Sequence, residues 1–258
     1  MVQVTRRGAP RLILQAGHRA VLAEFAASNV LLAFDFDGTL APIASTPAAA
    51  RMRPETRRLL GTVAHCYPCV VISGRPLAEL TKRFRRIPVW RLVGDHGFEP
   101  LGASPGASAH VGGWMDVLRT RLPSGLGLVI EQKKNSVTVH YRQVRDKRRV
   151  LEVITEAVRH LEDARAVKGE EAINLLPFGG PHKGVALQQA RRVFACDTAI
   201  YVGDDATDED AFTSAPADRL LAIRVGTRQP SKARYRLRSQ LEIDRFLEAL
   251  IDLRASRP

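Results

Sequence analysis

Two short acidic clusters carry the chemistry of this chain: Asp35-Phe36-Asp37-Gly38-Thr39-Leu40 and Gly203-Asp204-Asp205-Ala206-Thr207-Asp208-Glu209-Asp210. In the first, two carboxylates stand two residues apart at the end of Val30 to Phe36 (VLLAFDF), which reads as a buried strand. Neighbouring carboxylates repel unless a cation sits between them, and a hard divalent ion held by carboxylate and carbonyl oxygens resolves the repulsion. Gly38 allows the sharp turn that follows. The second cluster places five acids in the seven positions 204–210, again after an apolar run, Ala199 to Val202. Thr207 is expected to cap the following helix, and Asp208 to Asp210 suit its N-terminal dipole. Helix formation does not account for Asp204 and Asp205. Acidic strand ends of this kind, converging on one edge of a basic protein, predict a metal site.

A phosphate ligand fits the same edge. Ser73-Gly74-Arg75 follows the apolar run Cys69 to Ser73 (CVVIS), so the Ser73 hydroxyl and nearby backbone N–H groups are expected to face it. Lys183, in His182-Lys183-Gly184, opens the helix before the second acidic strand and is expected to neutralise phosphate charge.

These residues need a scaffold that brings strand ends together. Short apolar runs (Val30–Phe36, Cys69–Ser73, Trp90–Val93, Ala199–Val202, Leu220–Val225) alternate with helical segments (Pro54–Ala64, Pro76–Phe84, Lys183–Phe194, Leu241–Leu253). Continuous apolar strands separated by helices indicate an α/β fold, a Rossmann-like, doubly wound parallel sheet covered on both faces. Ligands of such sheets bind at the carboxyl ends of the strands. Residues 99–178 break the pattern. Leu128–Glu131, Ser136–Arg142 and Ala172–Leu176 read as strands and Gln143–Leu161 as one amphipathic helix. This predicts an α+β cap inserted between two parts of the core, residues 1–98 and 179–258. The stretch from Arg11 to Asn29 is read as a basic amphipathic helix.

Composition narrows the class. Of 258 residues 45% are hydrophobic and 26% charged, as in globular proteins. No run approaches the roughly 20 apolar residues of a membrane span, and Arg6-Arg7 is followed by no apolar leader segment. Cys66, Cys69 and Cys196 have no second ligand pair for zinc and read as reduced thiols in a cytoplasmic protein. The net charge of +12 concentrates at Arg142–Arg149 and Arg224–Arg238. With aromatics at 6%, a base-stacking platform is not indicated, so no nucleic-acid partner is expected; solvated basic faces or steering of an anionic substrate are. A monomer is expected.

DxDGTL, a strand-end serine, a lysine and GDDxTDED, in that order across residues 30–212, resemble the haloacid dehalogenase superfamily of phosphohydrolases. The resemblance implies that Asp35 attacks phosphorus and forms an aspartyl-phosphate while Asp37 serves as acid and then base. It implies phosphate binding by Ser73, Gly74 and Lys183. It also implies a Mg2+ ion bound by Asp35, the Asp37 carbonyl and Asp204, with Asp205 or Asp208 in support.

On the cap, Glu131 and Lys133 fall on one expected strand and His140 and Arg142 on the next, four polar groups able to read a polyhydroxylated substrate. Together with LAFDFDGTLAPI, VVISGRP, Gly94-Asp95-His96-Gly97-Phe98-Glu99 and GDDATDEDAF, this is similar to the trehalose-6-phosphate phosphatase family. By that resemblance Glu131, Lys133 and Arg142 contact sugar, and His96 and Glu99 lie near the core–cap junction. One position departs. In GEEAINLLP, residues 169–177, Asn174 stands where the family has an acid, which leaves another phosphorylated sugar, such as a glucosyl- or mannosyl-3-phosphoglycerate, as the alternative substrate.

Overall fold

A computed structural model describes residues 10–100, 107–226 and 230–256. Met1 to Ala9, with the Arg6-Arg7 pair, and Arg228 of the second basic run lie outside them. In chain order the elements are β1 (Arg11–Leu12), α1 (Arg19–Ala27), β2 (Val30–Phe34), α2 (Pro54–Cys66), β3 (Cys69–Ile72), α3 (Leu77–Arg83) and β4 (Arg91–Val93). There follow α4 (Ala107–Arg121), β5 (Val129–Gln132), β6 (Val137–His140), α5 (Lys147–Val158), β7 (Ala164–Gly169) and β8 (Ala172–Pro177). The chain ends with α6 (Lys183–Val193), β9 (Thr198–Gly203), α7 (Glu209–Phe212), β10 (Leu220–Val225), β11 (Tyr235–Leu237) and α8 (Ile243–Ala255).

Strands β1-β11-β10-β9-β2-β3-β4 form, in that order, one wholly parallel sheet. Every residue of β2, β3 and β10 is buried, because both faces carry helices. Alternation along a strand divides the core. Leu32, Phe34, Val71, Ile200 and Val202 face α1, α2 and α8, whereas Leu31, Ala33, Val70, Ala199 and Tyr201 face α6 and α7. Strands β2 and β9 are hydrogen-bonded neighbours, so their carboxyl ends, Asp35 and Asp204, emerge side by side.

A second, antiparallel sheet of order β5-β6-β8-β7 lies between the two halves of the first in sequence. Val137, Val139, Ile173 and Leu175 pack with Trp114 and Leu118 of α4 and Ile154 of α5. The alternate residues Thr138, His140 and Asn174 line the cavity described below. Among the described residues no helix is long and apolar enough to cross a membrane.

Two local expectations are corrected, and two elements form that the sequence pattern did not indicate. Arg11 does not start a helix: Arg11 and Leu12 pair with Tyr235 and Arg236 as an edge strand, and the helix begins at Arg19. The cap helix is shorter than Gln143–Leu161 because Asp146 accepts the Arg149 N–H at 3.0 Å and so sets its start at Lys147. Helix α4 was not expected, since Gly112-Gly113 lowers its propensity; burial of Val111, Trp114, Met115 and Leu118 outweighs that cost. Strand β7 has no apolar run and forms by pairing along all six residues with β8. Phe246 of α8, fully buried against the sheet, tests this packing. Phe246→Ala is expected to lower unfolding free energy by about 3–5 kcal/mol in chemical denaturation.

Candidate active site at the sheet edge

Lys183, at the first turn of α6, is buried with its Nζ 2.8 Å from Asp35 Oδ1 and 2.7 Å from Asp208 Oδ1. Burial works against its charge, but Asp208 and Asp35 outweigh it and raise the ammonium pKa. Asp208 is fully used. Its Oδ1 also accepts the Tyr201 hydroxyl at 2.7 Å, and its Oδ2 accepts the Asp204 and Asp205 N–H groups at 2.9 Å each. The expected Thr207 cap is replaced by a reciprocal capping box in which Asp205 is the N-cap and Asp208 the third residue. Asp205 and Asp208 thus build the turn, and the Asp204 carboxylate takes no part in the capping box; its Oδ1 accepts the Thr39 hydroxyl at 2.9 Å.

Oxygens of Asp35, Asp204 and Asp208 lie within 4.8 Å of one another. Burial, only partly offset by Lys183, pushes Asp35 up from 3.8 to about 8. Burial and the neighbouring Asp35 and Asp208 also raise Asp204 well above the ordinary range, and Asp205 rises to about 6. The cluster holds more carboxylates than cations, so a divalent ion fits it. Asp208 already serves four donors, which leaves the Asp35 and Asp204 carboxylates the freer candidate ligands of that group. Among the described residues the Asp37 carbonyl accepts no backbone hydrogen bond. Gly38 is required here: at φ 83° its missing Cβ leaves the space that the Asp204 carboxylate fills, 2.0 Å from where that carbon would stand.

Asp37 is the more exposed carboxylate, and Arg75 grips it with Nε 2.6 Å from Oδ2 and Nη2 2.7 Å from Oδ1. Arg75 itself lies over the Phe36 ring, donates to Glu79 Oε2 at 2.9 Å and to the Pro47 carbonyl at 2.6 Å. The sequence pattern assigns Arg75 no role; its one signal is its place two residues after the strand-end Ser73. Ser73 Oγ accepts the Arg75 N–H at 3.3 Å.

These groups open into one cavity of about 440 Å³, within the range of small-molecule sites. Its core side carries Asp35, Asp37, Ser73, Gly74, His96, Lys183, Asp204 and Asp205, and its cap side Glu131, Lys133, Thr138, His140, Arg142 and Asn174. Glu131 accepts from His140 Nε2 at 3.0 Å, a bond that lowers its pKa against the effect of burial. Lys133 lies just past β5 and donates to Thr138 Oγ1 at 3.1 Å and to the Gly74 carbonyl at 3.0 Å. Thr138 in turn donates to Asn174 Oδ1 at 3.0 Å. Arg142, beyond the end of β6, donates to Glu171 Oε2 at 3.2 Å and to the Ala44 carbonyl of the core. Glu99 is not part of the cavity wall; its Oε2 accepts the Leu77 N–H at 2.6 Å at the start of α3.

His96 is buried, with both ring nitrogens unpartnered among the described residues. Its ring covers Gly74, where a Cβ would come within 2.5 Å of the imidazole. Burial, with Lys133 and Lys183 nearby, depresses its pKa well below 6.5. Below pH 6.5 the unfolded chain therefore binds a proton at this histidine that the native state refuses, and the contribution of His96 to stability falls as pH falls. His96→Asn, which tolerates the left-handed backbone at φ 57°, is expected to reduce that slope between pH 6.5 and 5 by up to about 1.4 kcal/mol per pH unit, read by denaturant titration at each pH.

A trehalose-phosphate phosphatase of Mycolicibacterium paratuberculosis is 34% identical over 242 residues, covering 85% of this chain. The chain spans 61% of that relative's length. The C-terminal domain of C. albicans trehalose-6-phosphate phosphatase shares the fold, with a TM-score of 0.78 at 23% identity over 97% of this chain and 99% of that domain. A subclass IIB sugar phosphatase of the haloacid dehalogenase superfamily superposes with a TM-score of 0.59 at 14% identity, over 84% of this chain and 97% of that one. Residues 33–240 match the trehalose-phosphatase family, and the chain belongs to that family.

Proposed function

We propose that this chain is a magnesium-dependent phosphatase that hydrolyses trehalose 6-phosphate to trehalose and phosphate. The observation that carries the reading is the joint cavity: Asp35, Lys183 and Asp204 line the same cavity as the hydrogen-bonding groups of Glu131, Lys133, Thr138 and Asn174. The phosphoryl group binds at Ser73, the Gly74 turn and Lys183, and the sugars extend along the cap face.

Lys183 engages Asp35 Oδ1, and among the described residues no hydrogen bond occupies Oδ2. That oxygen attacks phosphorus, the bond to the sugar oxygen breaks, and Asp37 delivers a proton to the departing alkoxide. Asp37 then takes a proton from water as the water oxygen attacks the aspartyl-phosphate, which restores Asp35 and releases phosphate. Arg75 uses one lone pair on each Asp37 oxygen, fixes the carboxylate's plane and leaves the second lone pairs for these transfers. Bound by Asp35, Asp204 and the Asp37 carbonyl, magnesium would supply positive charge against the phosphoryl oxygens. Three unbridged cysteines, Cys66, Cys69 and Cys196, are in keeping with a cytoplasmic enzyme.

Phosphate release from a panel of sugar phosphates, including glucosyl-3-phosphoglycerate, tests the substrate. The expected result is a strong preference for trehalose 6-phosphate; preference for another member overturns it. Asp35→Asn should lower kcat at least about a thousandfold with the circular-dichroism spectrum unchanged. Chelation with EDTA should abolish turnover and magnesium should restore it. Independently of activity, magnesium should raise the melting temperature of the wild type and not that of Asp204→Asn.

A further inference from the structure

Between the phosphate turn and the cap lies a core loop, residues 94–97, that the chemistry above does not use. Two successive residues in it, Asp95 and His96, are left-handed at φ 46° and 57°, and Gly97 follows at φ 119°. Non-glycine residues adopt that region at an energetic cost and keep it where their surroundings hold them there. On one side the loop is bonded to the phosphate turn: the Asp95 N–H donates to the Arg75 carbonyl at 2.8 Å and the His96 N–H to the Ser73 carbonyl at 3.0 Å. On the other side it meets the turn between β5 and β6. Asp95 Oδ2 accepts the Asn135 N–H at 3.0 Å and Asn135 Nδ2 at 3.1 Å, and Asp95 Oδ1 accepts the Ser136 hydroxyl.

We propose that Asp95 is a positioning residue, the post on which the cap turn docks so that Glu131 and Lys133 stand over the phosphate site. Asp95 and Asn135 are 1% exposed and Ser136 is 0% exposed, so the contact is sealed from water. A carboxylate placed there costs heavily unless donors surround it, and all three donors come from the cap. The same turn is closed by the Lys133 N–H donating to the Ser136 carbonyl at 2.9 Å. The carboxylate thereby fixes the backbone from which the Lys133 ammonium reaches the Gly74 carbonyl. A docked cap and an ordered phosphate turn therefore share one loop. Reading a substrate with the cap depends on Asp95; bond cleavage at phosphorus does not.

This inference rests on the sugar-phosphate reading of the cavity, and two substrates separate the two. Trehalose 6-phosphate reaches the cap, whereas p-nitrophenyl phosphate needs only the core. In Asp95→Asn, kcat/KM for trehalose 6-phosphate is expected to fall at least about tenfold, chiefly through KM, while the aryl ester changes less than about twofold. Ser136→Ala, which removes one donor and leaves the core loop intact, should give the same selective loss on a smaller scale. Equal losses on both substrates, or no loss in either folded variant, overturn the proposal. Hydrogen exchange decides the docking without any substrate. The Asn135 amide should be protected in the wild type and lose that protection in Asp95→Asn while β3 amides keep theirs; retained Asn135 protection overturns it. A wild type that cleaves the aryl ester but not trehalose 6-phosphate defeats the substrate reading and leaves the exchange result to decide docking.

Discussion

Lys183 stands between the carboxylates of Asp35 and Asp208 with almost no access to water, and the geometry of the site follows from that bridge. A buried ammonium is stable only where opposite charge is close, and a buried carboxylate only where donors or cations are. Asp208 meets both conditions at once. One oxygen holds Lys183 and the Tyr201 hydroxyl, and the other gathers the two N–H groups that shape the Asp204–Asp205 turn. The lysine thereby orients the Asp35 carboxylate while the turn presents Asp204 beside it. What remains is an excess of buried negative charge with raised proton affinity, which a hard cation relieves.

Work is divided between the sheets. The parallel sheet fixes the strand-end residues through neighbouring strands, so Asp35, Ser73 and Asp204 keep their spacing as long as β2, β3 and β9 stay paired. The antiparallel sheet buries one face on α4 and α5 and turns the other, Thr138, His140 and Asn174, to the cavity. Asn174 takes part in a relay from Lys133 through Thr138 that needs an acceptor and no charge. The amide is therefore compatible with the cap's hydrogen bonding, and Glu131, 4.0 Å from Lys133, is bonded to His140.

Part of the positive charge is engaged within the structure. Arg224 is buried, donating to the Asp204 carbonyl at 2.7 Å and to Glu209 at 3.1 Å, so it braces the acidic turn from behind. Arg236 donates to the Pro10 carbonyl, Arg238 pairs with Glu242 and Lys147 with Glu171. Exposed pairs such as Arg148–Glu152 contribute little to stability.

Strand–turn chemistry was legible in the residues themselves. Apolar runs ending in Asp35, Ser73 and Asp204 specify a parallel sheet with a reactive edge, because hydrophobicity pattern and turn residues are local properties. The inserted cap was legible for the same reason, from the alternation in Val137 to His140. Other features were decided only by tertiary structure. Arg75 meets Asp37 across 38 positions, Asp95 meets Asn135 across 40, and Asp208 rather than Thr207 organises its turn. Helix α4 forms despite its glycine pair, and β7 without an apolar run of its own, because partners elsewhere in the chain supply the burial and the hydrogen bonds. Pairings of polar groups depend on which strand ends and turns become neighbours, and a linear pattern of residue types does not contain that distance.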